Sequence, residues 1–151
     1  MNSQFLVHKT HTLVDNLLQA VQKKGICYAS VGVIKDDVIY SAFSHPRWQE
    51  YYIKNALHLN DPSFKAAINL LEIPFLWDSV PLYTSEAIEV MNNRSEAVGA
   101  IGGVTICFSA DKKKLLLTLG TSIKKDVIGT ISNALTALSP QEILCSYLKS
   151  L

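Results

Sequence analysis

Residues 45–77 read HPRWQEYYIKNALHLNDPSFKAAINLLEIPFLW. This run sets two indoles, a phenol and a carboxylate in one stretch of a largely apolar chain. Pro46 suits the first turn of a helix, where its missing N–H has no intrahelical partner to lose. That helix carries Trp48, Tyr51, Tyr52, Ile53 and Leu57. Trp48 and Tyr52 stand four residues apart and share one helical face. Asp61 and Pro62 occupy the places of an N-cap and a first helical residue, with Phe64 to Leu71 continuing a second helix. Pro74 ends it, and PFLWDS forms a short strand holding Trp77. Two fixed donors, one fixed acceptor and an aromatic wall suit a small amide or ester with an apolar tail. They do not suit a reaction.

On the N-terminal side, residues 4–24 carry Leu6, Leu13, Leu17, Leu18 and Val21 at helical spacing, and Lys23, Lys24 and Gly25 close that helix. ICYASVGVI (26–34) and VIYSAFS (38–44) flank a Lys35-Asp36-Asp37 turn and read as a β-hairpin. On the C-terminal side, Thr84 or Ser85 caps a helix through about Asn92, and Asn92-Asn93-Arg94 reads as a turn. Gly102 and Gly103 lead into the strand VTICF; residues 110–114 form a charged turn, and LLLTLGT returns. Asp126 to Leu138 is a closing amphipathic helix, with Val127, Ile128, Ile131, Leu135 and Leu138 on its apolar side. Five strands joined mainly as hairpins imply an antiparallel sheet with helices on its faces.

The chain has 151 residues, 48% hydrophobic and 18% charged, enough for one domain with a sizeable core. A net charge of +1 supplies no general attraction to nucleic acid or an anionic membrane. No apolar run reaches the length of a membrane span, and the polar-interrupted N-terminus does not read as a signal peptide. Cys27, Cys107 and Cys145 have no metal-ligand spacing and are odd in number, which fits a reducing cytoplasm. His8, His11, His45 and His58 are scattered, so no metal site is expected. P-loop, nucleophile-elbow and dinucleotide patterns are missing, and no cofactor is expected.

Each prominent residue also has a purely structural role open to it. Trp48 and Trp77 can be core anchors, and Tyr52 an edge-of-core ring with its hydroxyl in water. Asp61 can be a simple N-cap worth about 0.5–2 kcal/mol. The combination asks for more, because polar tips in an apolar segment need partners once buried.

HPRWQEYY, NDPSF and PFLWDS together resemble the autoinducer-binding domain of LuxR-type quorum-sensing regulators. That family's run is similar to Y-P-x-x-W-x-x-x-Y, then D-P, then P-x-x-W. Trp48, Tyr52, Asp61 and Pro62 match with the tryptophan–tyrosine and tyrosine–aspartate steps intact, and Trp77 matches after about one inserted residue. Gly103 resembles the glycine that opens the family's fourth strand. His45 stands where the family has tyrosine, and the proline-to-tryptophan step is one shorter. The layout covers most of residues 1–138.

The resemblance implies an α/β (α+β) fold: an α–β–α sandwich around a central five-stranded antiparallel sheet, PAS- or GAF-like. It implies a pocket for an N-acyl-homoserine lactone. Trp48 would donate to the lactone carbonyl, Tyr52 to the amide carbonyl, and Asp61 would accept from the amide N–H. Trp77 and Phe75 would line the tail slot. Thr118, Ser63 and His45 are further ligand-binding candidates. The tail 138–151, LSPQEILCSYLKSL, is similar to the opening of the family's helix-turn-helix module, yet reads equally as a capped helix with Ser139, Pro140 and Glu142 at its start. The expected organisation is therefore a domain over 1–138 and a helical tail over 139–151, with no DNA-reading head. The expected partners are a small-molecule signal and a homodimer mate or full-length relative, with no direct nucleic acid and no membrane. A second class of function stays open: an interaction module or dominant-negative dimerisation partner without a small ligand, in which Trp48 and Tyr52 are core and Asp61 a cap. An enzyme has no supporting constellation.

Overall fold

Side chains along a strand point alternately to the two faces of its sheet, and here the alternation sorts bulk from small polar groups. The computed structural model describes residues 4–7, 11–69, 74–80 and 84–151. Its strands are β1 (Gln4–Val7), β2 (Ile26–Lys35), β3 (Val38–Phe43), β4 (Phe75–Leu76), β5 (Gly102–Ala110) and β6 (Lys113–Thr121). They form one sheet in the order β1-β3-β2-β6-β5-β4. Every pairing from β3 to β4 is antiparallel, which gives the five expected strands.

On one face, Ala29, Val31 and Val33 of β2, Val104 and Ile106 of β5, and Leu115, Leu117 and Leu119 of β6 form the main core. The helices α1 (His11–Gln22), α5 (Val127–Leu135) and α6 (Pro140–Ser150) cover it. They contribute Val14, Leu17, Val21, Ile131, Ala134, Leu144 and Tyr147 to the same cluster. The helical tail expected after Leu138 is α6, and its Leu144 and Tyr147 are fully buried.

The opposite face is different. Ser30 of β2 pairs with Thr118 of β6, which pairs with Thr105 of β5, so a row of hydroxyl residues crosses the middle of the sheet. Gly32, Gly103 and Gly120 lie on this face as well, and their missing side chains leave it low in bulk. The helices α2 (Pro46–Lys54), α3 (Pro62–Asn69) and α4 (Ser85–Val98) lie on this side. The result is the α–β–α sandwich.

Several expectations change. The helix from Pro46 ends at Lys54, so Leu57, expected on it, lies in a separate 3-10 turn, Leu57–Leu59. The helix expected over 4–24 is a strand, β1, which pairs in parallel with β3 and forms the sheet edge, followed by α1. Pairing with an open sheet edge overrides the local helical pattern around Leu6. The strand expected for PFLWDS is only Phe75–Leu76; Trp77 opens a one-turn 3-10 helix. The turn expected at Asn92-Asn93-Arg94 lies inside α4, which runs to Val98 and ends at Gly99 with φ +77°. Burial of Val90, Arg94 and Val98, spaced by four, outweighs the modest helix preference of asparagine. In the turn expected over 110–114, only Asp111 and Lys112 turn, both at positive φ as a two-residue hairpin requires. Lys114 belongs to β6 and donates to Ile68 O at 2.8 Å. The expected continuation of α3 to Leu71 lies outside the described residues.

If α6 is part of the main core, Leu144→Ala should destabilise the domain by about 2–5 kcal/mol, as a buried truncation does. Urea unfolding would show this as a lower midpoint at unchanged slope. A loss near zero would show that α6 stands apart from the core.

Candidate ligand-binding site

Helix α2 begins at Pro46 and is fixed to β3 by one buried side chain. Gln49 Oε1 accepts from Phe43 N at 3.2 Å, and Gln49 Nε2 donates to Ser41 O at 3.0 Å. This amide clamp turns Trp48 and Tyr52 inward, each 3% exposed. Their rings meet edge-to-face at 5.7 Å, and Phe43 packs against Tyr52 at 5.2 Å.

Asp61 does cap α3: its Oδ1 accepts from Ser63 N at 3.0 Å and Phe64 N at 3.4 Å. Its other oxygen faces inward. Oδ2 accepts from the Tyr52 hydroxyl at 2.6 Å and from Arg94 Nη2, with which it forms a buried ion pair. The capping role and the site role are thus filled by one carboxylate, an oxygen for each. A carboxylate offers about four lone-pair sites, and four donors address this one.

Arg94 comes from the third turn of α4 and is 5% exposed. Its guanidinium carbon lies 5.9 Å from the Trp48 ring centre and 5.1 Å from that of Trp77, so the cation sits between two indoles. Nη1 approaches Met91 Sδ at 3.3 Å, while Nε has no partner. Burial alone would lower the Arg94 pKa, but attraction to Asp61, joined by Tyr28 and Tyr52, raises it, and the group stays charged. Burial, then Asp61, raises Tyr52 well above the usual tyrosine value, so its hydroxyl keeps its proton and donates. Burial also pushes Tyr28 up to about 12, against the opposing influence of Arg94.

Between this cluster and the sheet lies a cavity of about 60 Å³. Tyr52, Asp61, Ser63, Trp77 and Thr118 all line it, as does Arg94. Trp77 Nε1 donates to Thr105 Oγ1 at 3.2 Å, and Thr105 Oγ1 lies 3.4 Å from Thr118 Oγ1. The Trp77 ring rests against the backbone of β5 and β6, where only glycine fits. A Cβ on Gly103 would stand 2.4 Å from Leu119 O and 2.8 Å from the indole. Ser41 and Ser63 line the cavity with buried hydroxyls that have no hydrogen-bond partner.

The structure sets three candidates apart from that cavity. Phe75 packs with Ala67, Cys107 and Leu116 against the sheet. His45 and Trp48 border an outer groove of about 880 Å³, together with Arg47, Tyr51, Asn93 and Glu96. Trp48 Nε1 is buried and meets no acceptor in hydrogen-bonding geometry. Arg94 was missed from the sequence because its segment read as a turn. The signal that finds it is a charged residue midway between Val90 and Val98 at four-residue steps.

Among the described residues, no group of His, Cys, Asp and Glu could hold a metal ion, and no helix is long and apolar enough to cross a membrane.

A sheet covered by helices on both faces, with a buried polar cluster beside an apolar cavity, is the arrangement of a ligand-binding regulatory domain. The family model for the autoinducer binding domain matches residues 8–126, and the chain belongs to that family, the signal-binding domain of LuxR-type regulators. Three solved structures show the same fold. SdiA of Escherichia coli matches with a TM-score of 0.64 and 20% identity, over 95% of this chain and 61% of that one. This chain therefore spans about three-fifths of SdiA. CepR2 of Burkholderia cenocepacia, described as an N-acylhomoserine lactone-dependent LuxR-family transcription factor, matches at 0.61 and 16% identity, over 91% and 93%. The ligand-binding domain of VqsR from Pseudomonas aeruginosa matches at 0.57 and 17%, over 93% and 94%. A sequence search of curated proteins gave no match.

Two substitutions test the cluster's energetics. Asp61→Ala uncaps α3 and leaves Arg94 buried without its counter-ion, so a loss of about 3–5 kcal/mol is expected. Tyr52→Phe removes one hydrogen bond to a charged group and should cost about 1.5–3 kcal/mol. Equal, small losses in denaturant unfolding would contradict this ranking.

Proposed function

We infer that this domain binds an N-acyl-homoserine lactone or a closely related acyl signal, without catalysis, between the hydroxyl-bearing face of the sheet and helices α2, α3 and α4. The observation that carries the reading is the buried Tyr52–Asp61–Arg94 cluster beside an apolar cavity, in a domain of this family. Support also comes from CepR2, described as N-acylhomoserine lactone dependent, and from a structure of SdiA in complex with octanoyl-rac-glycerol. The latter matches this chain with a TM-score of 0.66 at 18% identity, over 95% of this chain and 60% of that one.

Tyr52, Asp61, Ser63, Trp77 and Thr118 are the proposed head-group surroundings. Trp48, Phe75 and His45 are proposed to bound the space that the guest opens. The setting we propose is cytoplasmic. The exposed Ile123 and Ile128, at 40% and 62% exposure, offer apolar surface for pairing with a second copy or a full-length regulator of the same type.

The test is thermal unfolding with a panel of acyl-homoserine lactones of graded tail length. A true ligand at about one hundred times its Kd should add about 2.7 kcal/mol of stability. A folded protein that responds to no member of the panel would overturn the reading.

A further inference from the structure

Arg94 is the least fully bonded member of the buried cluster. Its Nη2 donates to Asp61 Oδ2, its Nη1 reaches only the weak acceptor Met91 Sδ at 3.3 Å, and its Nε has no partner. The residues around it are held by other bonds. Asp61 accepts from Ser63 N, Phe64 N and the Tyr52 hydroxyl, Trp77 donates to Thr105, and Gln49 ties α2 to β3. The place that the guanidinium fills is the polar end of the proposed site. It is bonded to Asp61, lies 5.1 Å from the Trp77 ring centre, and Arg94 lines the same cavity as Ser63 and Thr118. A second space adjoins it. Arg94 lies against the Trp48 ring, and Trp48 also borders the outer groove between α2 and α4. The α4 residues on that groove, Asn93, Glu96 and Ala97, flank Arg94 in the chain.

We propose that Arg94 is a built-in latch on the signal site: in the ligand-free domain it occupies the polar end on Asp61, and an acyl signal binds by displacing it past Trp48 toward the outer groove. This rests on the proposed binding of an acyl signal at this site. Asp61 tolerates the exchange. It keeps the two N–H groups of the α3 first turn and the Tyr52 hydroxyl, and an amide N–H from the guest restores the fourth donor. Its charge also stands at the N-terminus of α3, where the helix dipole favours an anion. Arg94 gains water in place of one carboxylate oxygen and one sulfur. The signal thus competes with a group of the chain itself, and its apparent affinity falls by the fraction of molecules in which Arg94 is released.

The experiment measures Kd for octanoyl-homoserine lactone by calorimetric titration on the full chain, on Arg94→Gln and on Arg94→Ala, with urea midpoints taken without ligand. Arg94→Gln keeps an N–H for Asp61 and loses the charge and the planar fork. A latch moves the two readouts in opposite directions: each variant has a lower midpoint, and each binds at least tenfold more tightly than the unsubstituted chain. A cation that only braces the fold moves them together. Binding in the variants that is weaker, unchanged or tightened by less than tenfold overturns the latch and leaves signal binding intact. Arg94→Gln decides alone if Arg94→Ala does not fold unaided. Binding by a variant where the unsubstituted chain shows none supports the latch. Absence of binding in all three chains, across lactones of graded tail length, removes this proposal together with the reading beneath it.

Discussion

One buried ion pair organises the face of the sheet opposite the main core. Arg94 belongs to α4, Asp61 to the start of α3, and Tyr52 to α2, so three helices are joined at a single carboxylate oxygen. Burying two opposite charges does not by itself stabilise a fold, since each loses its hydration. Here the loss is offset by a full set of hydrogen bonds on Asp61 and by two indole faces around the guanidinium. Apolar side chains of similar volume would hold the helices as well. What they would lack is the hydrogen-bonded link from α2 and α4 to the cap of α3.

The sheet supplies the complementary half. Its two faces come from the same strands and differ only in alternate residues. Leu115, Leu117 and Leu119 face the main core, while Leu116, Thr118 and Gly120 face the cavity side. The first set is packed by three helices into a continuous apolar layer. The second is thinned by glycine and hydroxyl residues: Trp77 packs directly on Gly103 and Gly120, and a cavity of about 60 Å³ remains beside it. A close-packed face and a face that retains a cavity are thereby built back to back. The deep placement of Leu144 and Tyr147 puts the C-terminal helix on the close-packed face.

Much of this was legible in the sequence, for identifiable reasons. The hairpins and their alternation are local, and so are the Pro46 and Asp61-Pro62 helix starts, which the structure reproduces. The convergence of Tyr52 and Asp61 followed from the resemblance, and the two meet at 2.6 Å. Strand β1 was not legible, because four residues read as helix until an open edge of β3 is there to pair with them. Arg94 escaped for a related reason. Two asparagines before it suggest a turn, and only the packing of Val90 and Val98 under α4 makes the helix continue and carries a cation indoors. The division of Asp61 between its two oxygens was also out of reach, since a cap and a buried ion pair read alike as Asp-Pro.

The sequence contains two tryptophans, Trp48 and Trp77, and Arg94 lies within 6 Å of both ring centres. All indole emission from this chain therefore originates around one guanidinium. The domain carries its own optical reporter, and any shift in colour or intensity reports on the environment of that cation.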